Sequence, residues 1–318
     1  MVTFEKIEGV THEWTPGPRI FSESPVKLAA IQTFEGPDTA SVRMRQSSNI
    51  TISEEEESES ESSNVGGGPF AFLGDLDVGS MFNRLARNVL RGSTEIKIEE
   101  ERSGDAETRH TEEIVGQIAF ELGRINNSEG DTIGDAGILE VDQPEIDTWR
   151  PLPSPSSFST DNSVAFVQVL SFNGAQPVHP RLTTSHPETK EAGFYFKMEE
   201  WPTYDQQHVP EKLSYVVLNE GHHLLGRGED PDIEVGTTEP FNYTGDEDNW
   251  QRVQLKDPGV STVVITQCQT FNGSDPIVTR QRMRDSNEFE VRLQEAESQR
   301  DHHAKEIVGY VAIGQQLF

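Results

Sequence analysis

The 318-residue sequence predicts an all-β chain built as three tandem antiparallel β-sandwich modules. Two observations carry that prediction. The same blocks recur three times in the same order, the mark of a repeat architecture. Each block also has the residue pattern of a strand. The modules are expected at 1–138, 139–229 and 230–318, the first with an acidic and helical insertion at 46–92.

Each module opens on a tryptophan, Trp14, Trp149 or Trp250, read as core or inter-module packing. The first block follows: "IQTFEG" from Ile31, "VLSFNG" from Val169 and "CQTFNG" from Cys268. The runs that include it, "KLAAIQTF", "SVAFVQVLSF" and "TVVITQCQTF", are β-branched or aromatic and end at glycine-centred turns. Nine residues after each phenylalanine stands an arginine: Arg43, Arg181 and Arg280. The second block, "TEIKIEEE", "FYFKMEEW" and "FEVRLQEA", alternates as a strand with one wet face does. It holds one long basic residue each time, Lys97, Lys197 and Arg292. The closing block carries His-x-x-Glu: His110 and Glu113, His208 and Glu211, His303 and Glu306. A strand follows, "EIVGYVAIG" in the third copy, apolar on both faces. Such a strand is central to a sandwich or covered by a neighbouring subunit.

The insertion begins "SEEEESESESSNVGGG", a composition that builds no core. In "GSMFNRLARNVLRGS", Met81, Phe82, Leu85 and Val89 share one helical face and Arg84, Arg87 and Arg91 another. The helix reads either as a cover for one end of the sandwich or as a docking element for a neighbouring subunit.

The chain has 55 acidic residues against 26 basic, a formal charge of −29, with 8 Lys against 18 Arg. Such a charge repels itself in dilute buffer and is screened in molar salt, where the Debye length falls to about 3 Å. The composition therefore points to a halophilic protein, and it excludes nucleic acid as an expected partner. No apolar run approaches the roughly 20 residues of a membrane span. The N-terminal residues carry no secretory pattern, so export is expected by another route, such as release in a virus particle. The single cysteine, Cys268, excludes an internal disulfide and reads as an inert core residue.

Imidazole and carboxylate suit zinc. On a strand, however, i and i+3 point to opposite faces, and two ligands are too few. No metal and no cofactor is therefore expected. Acidic loops such as "YTGDEDN" leave Ca²⁺ or another cation open without matching a motif. The expectation for the histidine is that it caps the strand entry, with the motif glutamate pairing a basic residue across the sheet. Arg43, Arg181 and Arg280 are expected to lie over the sheet and pair Glu100, Glu200 and Glu295; an anionic sugar is the other candidate for them. No serine elbow, phosphate loop or dinucleotide fingerprint occurs, and no catalytic residue is assigned.

The run "QTFNG…TRQRMR…FEVRLQEAE…HAKEIVGYVAIG" resembles the H-type lectin module and related sandwich repeats of microbial and viral surface proteins. The resemblance covers the core of all three modules and is clearest in the third. It implies a six-stranded antiparallel sandwich, frequent trimers and, in some members, galactose-type sugars held by loops near subunit interfaces. No sugar-binding residue of that family carries over here. The function expected is a non-enzymatic structural and attachment protein of a halophilic virus particle: tail, fibre, baseplate or capsid surface. Its expected partners are itself, as a homotrimer or larger symmetric assembly, other virion proteins and host surface glycan. The alternatives are a cellular lectin-like adhesin or surface-layer-associated protein, and a metal-dependent glycan hydrolase acting through the His-x-x-Glu loops.

Overall fold

The structure, a computed structural model, describes residues 2–17, 26–46, 94–104, 109–141, 148–226 without 154 and 156, 231–243, 249–256, 260–299 and 303–315. The expected helix with Phe82, Leu85, Arg84, Arg87 and Arg91 lies outside the described residues.

The repeated blocks are strands, and they are antiparallel throughout. The first copy supplies β1 (Val2–Val10), β2 (Thr15–Pro16), β3 (Val26–Ile31), β4 (Ala40–Gln46), β5 (Thr94–Glu100) and β6 (Glu113–Phe120). The second supplies β7 (Gly123–Asn126), β8 (Thr132–Val141), β9 (Arg150–Pro151), β10 (Ser163–Val169), β11 (Val178–Ser185), β12 (Ala192–Glu200) and β13 (Glu211–Asn219). The third supplies β14 (Gly221–Leu224), β15 (Asp232–Thr237), β16 (Gln251–Gln254), β17 (Val260–Cys268), β18 (Ile277–Met283), β19 (Glu288–Glu295) and β20 (Val308–Gln315). Among the described residues the one helical turn is the 3₁₀ turn Glu297–Gln299, and no helix is long and apolar enough to cross a membrane.

Each module is a two-layer sandwich. The inner sheets run β1-β6-β3, β10-β13-β8-β7 and β14-β15-β20-β17. The outer sheets run β2-β5-β4, β11-β12-β9 and β16-β19-β18. Strand pairing moves the module boundaries. The 138/139 boundary would cut β8, which pairs β13 over Val141 to Gly134 and belongs wholly to the second module. The hairpin β14–β15 pairs β20 and stands with the third. Among the described residues of the first copy only the second strand of these hairpins has a counterpart, β1, so the repeat gave no sign of where the hairpins attach.

The closing strands are apolar on both faces because two cores meet at them. Val308, Tyr310 and Ala312 of β20 face the third sandwich's own interior. Val311 and Ile313 face a second core shared by all three modules. That shared core holds equivalent residues from each copy: Val26, Val164 and Val263; Leu28, Phe166 and Ile265; Ile118, Val216 and Val311; Phe120, Leu218 and Ile313. The three inner sheets thus pack around a common pseudo-threefold axis. A cavity of about 90 Å³ remains on it, walled in part by Leu28, Phe166 and Ile265. The three modules of one chain close a ring that, in a trimer, separate subunits would close.

Candidate functional site

The residues singled out by recurrence meet at the three seams of this ring. Each cluster takes its arginine from one module and its histidine and glutamates from the next. In the seam between modules 1 and 2, Arg43 Nη2 donates to Glu211 Oε1 at 2.5 Å. Between modules 2 and 3, Arg181 Nη2 donates to Glu306 Oε1 at 2.8 Å. Between modules 3 and 1, Arg280 Nη2 donates to Glu113 Oε1 at 2.8 Å. The three pairings run in one rotational sense, and each arginine is 1% exposed.

The glutamate is the hub of each cluster. Glu306 accepts from Arg181, from His303 Nε2 at 3.1 Å, from Thr270 Oγ1 at 2.5 Å and from the backbone N–H groups of Asn272 and Gly273 at 2.9 and 3.0 Å. Glu113 and Glu211 repeat the set with His110, Thr33, Glu35 and Gly36, and with His208, Ser171, Asn173 and Gly174. The other ring nitrogen, Nδ1, faces Glu100 Oε1 at 2.6 Å in His110, Glu200 Oε1 at 2.9 Å in His208 and Glu295 Oε1 at 2.8 Å in His303. The turn glycine is obligatory because the ring lies against it. A Cβ on Gly36, Gly174 or Gly273 would stand 2.6–2.7 Å from the histidine Cε1.

Two expectations are thereby corrected. The motif glutamate pairs its arginine across a module seam, not across its own sheet. Glu100, Glu200 and Glu295 do not take the arginines; they end β5, β12 and β19 beside the histidine loop and hold the imidazoles instead.

Aromatic rings complete each seam. Trp14 meets Phe172 edge-on at 5.2 Å, Trp149 meets Phe271 at 5.0 Å and Trp250 meets Phe34 at 5.1 Å. The phenylalanine settles a local conflict. Arg43 and Lys97 are direct cross-strand neighbours, as are Arg181 with Lys197 and Arg280 with Arg292. Like charges so placed repel. Phe172 from the next module lies beneath both cations, 5.2 Å from Arg43 and 4.4 Å from Lys97, and the face of a ring attracts cations. Phe271 and Phe34 do the same for their pairs.

Burial alone would neutralise these groups; the hydrogen bonds reverse it. Burial disfavours the Glu113 and Glu211 carboxylates, but the histidine and arginine beside each hold its pKa down to about 2. Glu306 is lowered in the same way. Burial also disfavours the imidazoliums of His110 and His303, yet two carboxylates on each ring raise its pKa. Burial lowers Arg280 to about 10 and raises the Cys268 thiol to about 11, which favours its protonated form.

A further layer was missed in the sequence. In two seams a glutamine brackets one residue of the neighbouring module. Gln32 Nε2 donates to Val264 O at 2.7 Å and its Oε1 accepts from Val264 N–H at 3.0 Å. Gln269 does the same to Ala165, at 2.8 and 3.1 Å. Each glutamine needs a glycine on the adjacent strand: a Cβ on Gly116 or Gly309 would come within 2.9 Å of its side chain. At the same positions the third seam has Leu170 and Ser214. Leu170 packs into the first module's core, and Ser214 Oγ donates to Lys27 O at 2.6 Å. The signal was legible: "IQTFEG", "CQTFNG" and "VLSFNG" vary in step with "EIVGQ", "EIVGY" and "EKLSY".

Halomucin of Haloquadratum walsbyi is 24% identical over 212 residues, a stretch that is 64% of this chain and 2% of halomucin. The chain therefore spans a small fraction of that relative. No protein-family model matches the chain. No solved structure matches it.

Proposed function

We propose that the chain is a non-enzymatic structural and attachment unit of a salt-exposed surface. The first setting we infer is a halophilic virus particle, with the chain as a tail, fibre, baseplate or capsid-surface component. The observation that carries this reading is the placement of the recurring polar residues. His110, His208 and His303, with Glu113, Glu211, Glu306 and the three arginines, are buried and hold one another across the seams. A carboxylate that already accepts from five donors offers no lone pair to a metal or substrate, which weighs against a hydrolase built on His-x-x-Glu. The acidic surface suits molar salt, and the similarity to halomucin supports the same environment. The resemblance to H-type lectin modules supports host-glycan contact through loops at one end of the ring. Because one chain closes its own ring, we take the single chain as the unit, and a homotrimer or larger symmetric assembly of it would use surfaces outside the seams. A second reading, a surface protein of the cell itself, is favoured by the halomucin similarity.

Two measurements test this. Light scattering in about 3 M salt should give the mass of one chain, and in about 0.1 M salt, where screening is weak, a loosened ring. Peptide counting by mass spectrometry should then find the chain enriched in gradient-purified extracellular particles over washed cell envelopes. Enrichment in the envelopes would transfer it to the second reading; recovery from the cytosol alone would sink both.

A further inference from the structure

The histidine clusters of the three modules differ four residues beyond the seam phenylalanine. Module 2 has Gln176 there, and modules 1 and 3 have Asp38 and Asp275; among the described residues only Asp275 comes with its module's glutamate and histidine within reach of one metal ion. In module 2 the amide nitrogen of Gln176 donates to Glu200 Oε1 and to Asp205 Oδ1, each at 3.0 Å. A neutral donor thus sits among the acidic groups. Module 3 replaces it with a carboxylate.

Ligand atoms of Asp275, Glu295 and His303 lie within 4.8 Å of one another. Asp275 is exposed, whereas Glu295 is 1% exposed. Glu295 Oε1 faces His303 Nδ1, but Glu295 Oε2 is buried with no hydrogen-bond partner. A buried carboxylate oxygen left without a donor is costly, and a second carboxylate beside it makes the cost larger. A cation removes both difficulties.

We propose that module 3 binds one divalent transition-metal ion, zinc in the first instance, through Asp275, Glu295 and His303. His303 is prepared for this role. Its Nε2–H donates to Glu306 at 3.1 Å, so the nitrogen that gives up a proton to an arriving ion, and then presents its lone pair, is Nδ1. A ligating imidazole whose other nitrogen is held by a carboxylate is the usual arrangement around zinc. Two carboxylates and a neutral imidazole balance a 2+ charge. The nitrogen ligand favours zinc and its neighbours over calcium or magnesium, which prefer oxygen alone. Binding displaces one proton, from Nδ1 to solvent. Glu306 remains with Arg181 and is no ligand. The site therefore adjoins the seam between modules 2 and 3, and the ion fixes the loop that carries that seam's histidine.

The test uses the full chain, stripped with chelator in high salt and titrated calorimetrically with zinc, then with calcium. One zinc per chain with a rise in melting temperature is expected, and no comparable calcium response. Cobalt(II) in place of zinc should give visible absorption bands. Asp275→Gln rebuilds the arrangement of module 2. It should fold with an unchanged or higher metal-free melting temperature, weaken zinc binding by more than about 100-fold and abolish the cobalt bands. Zinc binding that persists in Asp275→Gln places the ion elsewhere and overturns the proposal, as does a wild-type chain that takes up none.

Discussion

Two seams of the ring are bracketed by glutamine and the third is not. In the seams between modules 3 and 1 and between modules 2 and 3, Gln32 and Gln269 reach over Gly116 and Gly309 to a neighbour's backbone. In the seam between modules 1 and 2, Leu170 fills the space with hydrocarbon, and the Ser214 hydroxyl crosses to Lys27 O from the opposite strand. The carbonyl that needs a donor is the same; the donor has changed strands. The arginine, glutamate and histidine do not change at all. The difference separates what closing a seam requires, a saturated buried charge cluster, from what it tolerates, either of two ways to fill one gap and satisfy one carbonyl.

The largest effect should come from acid, which strikes all seams together. Glu113 and Glu211 are held near 2 against a usual 4.5. A depressed carboxylate contributes its full stability above its unfolded value and loses it as the pH falls through the folded one. Denaturation midpoints should therefore fall steeply below about 4.5, by on the order of 3 kcal/mol per protonated carboxylate. His110 acts in the opposite sense: its raised pKa gives stability that is full below the usual 6.5 and lost as the pH rises through the raised value. Stability measured against pH should peak between these limits, and a profile flat into strong acid would remove the charge cluster from the account.

Arg280→Ala or Arg43→Ala should come next. Each strands a buried glutamate and should cost about 3–5 kcal/mol in chemical denaturation, alike at a glutamine seam and at the leucine seam. Unequal losses would mean that the cluster is not the common requirement. Gly116→Ala and Gly309→Ala should cost about 1–3 kcal/mol by overpacking, the first against Val263 and Gln32 and the second against Val164 and Gln269. Ser214→Gly should cost only about 1 kcal/mol, the loss of one hydrogen bond. The finest test is a double-mutant cycle. Leu170→Gln and Ser214→Gly should each destabilise alone, while the pair installs the glutamine bracket and recovers at least 0.5 kcal/mol, about the least coupling expected of residues in contact.

Much of this was open to reading in the sequence. Period-two alternation and glycine-centred turns gave the sandwiches, and the doubly apolar "EIVGYVAIG" gave the covered second face. What recurrence could not give was the module in which a partner lies. Three identical copies look the same whether Arg280 reaches Glu295 of its own module or Glu113 of the next. The boundaries slipped for a related reason: among the described residues β7 and β14 extend only the second and third inner sheets and leave no mark on the shared pattern. Asp275 stood out least, because its significance lies in a contrast with Gln176 that has meaning only once both are seen beside a histidine.

A ring closed by one polypeptide also changes what mutation can do. In an assembly of three identical subunits every substitution is written three times, and a residue that spoils one contact spoils them all. Here the corresponding positions are separate codons. Leucine can replace glutamine at one seam while the other two keep the ring shut, and glutamine can replace aspartate beside one histidine without removing the carboxylate from its counterparts. The covalent link between modules frees each copy to drift toward its own task.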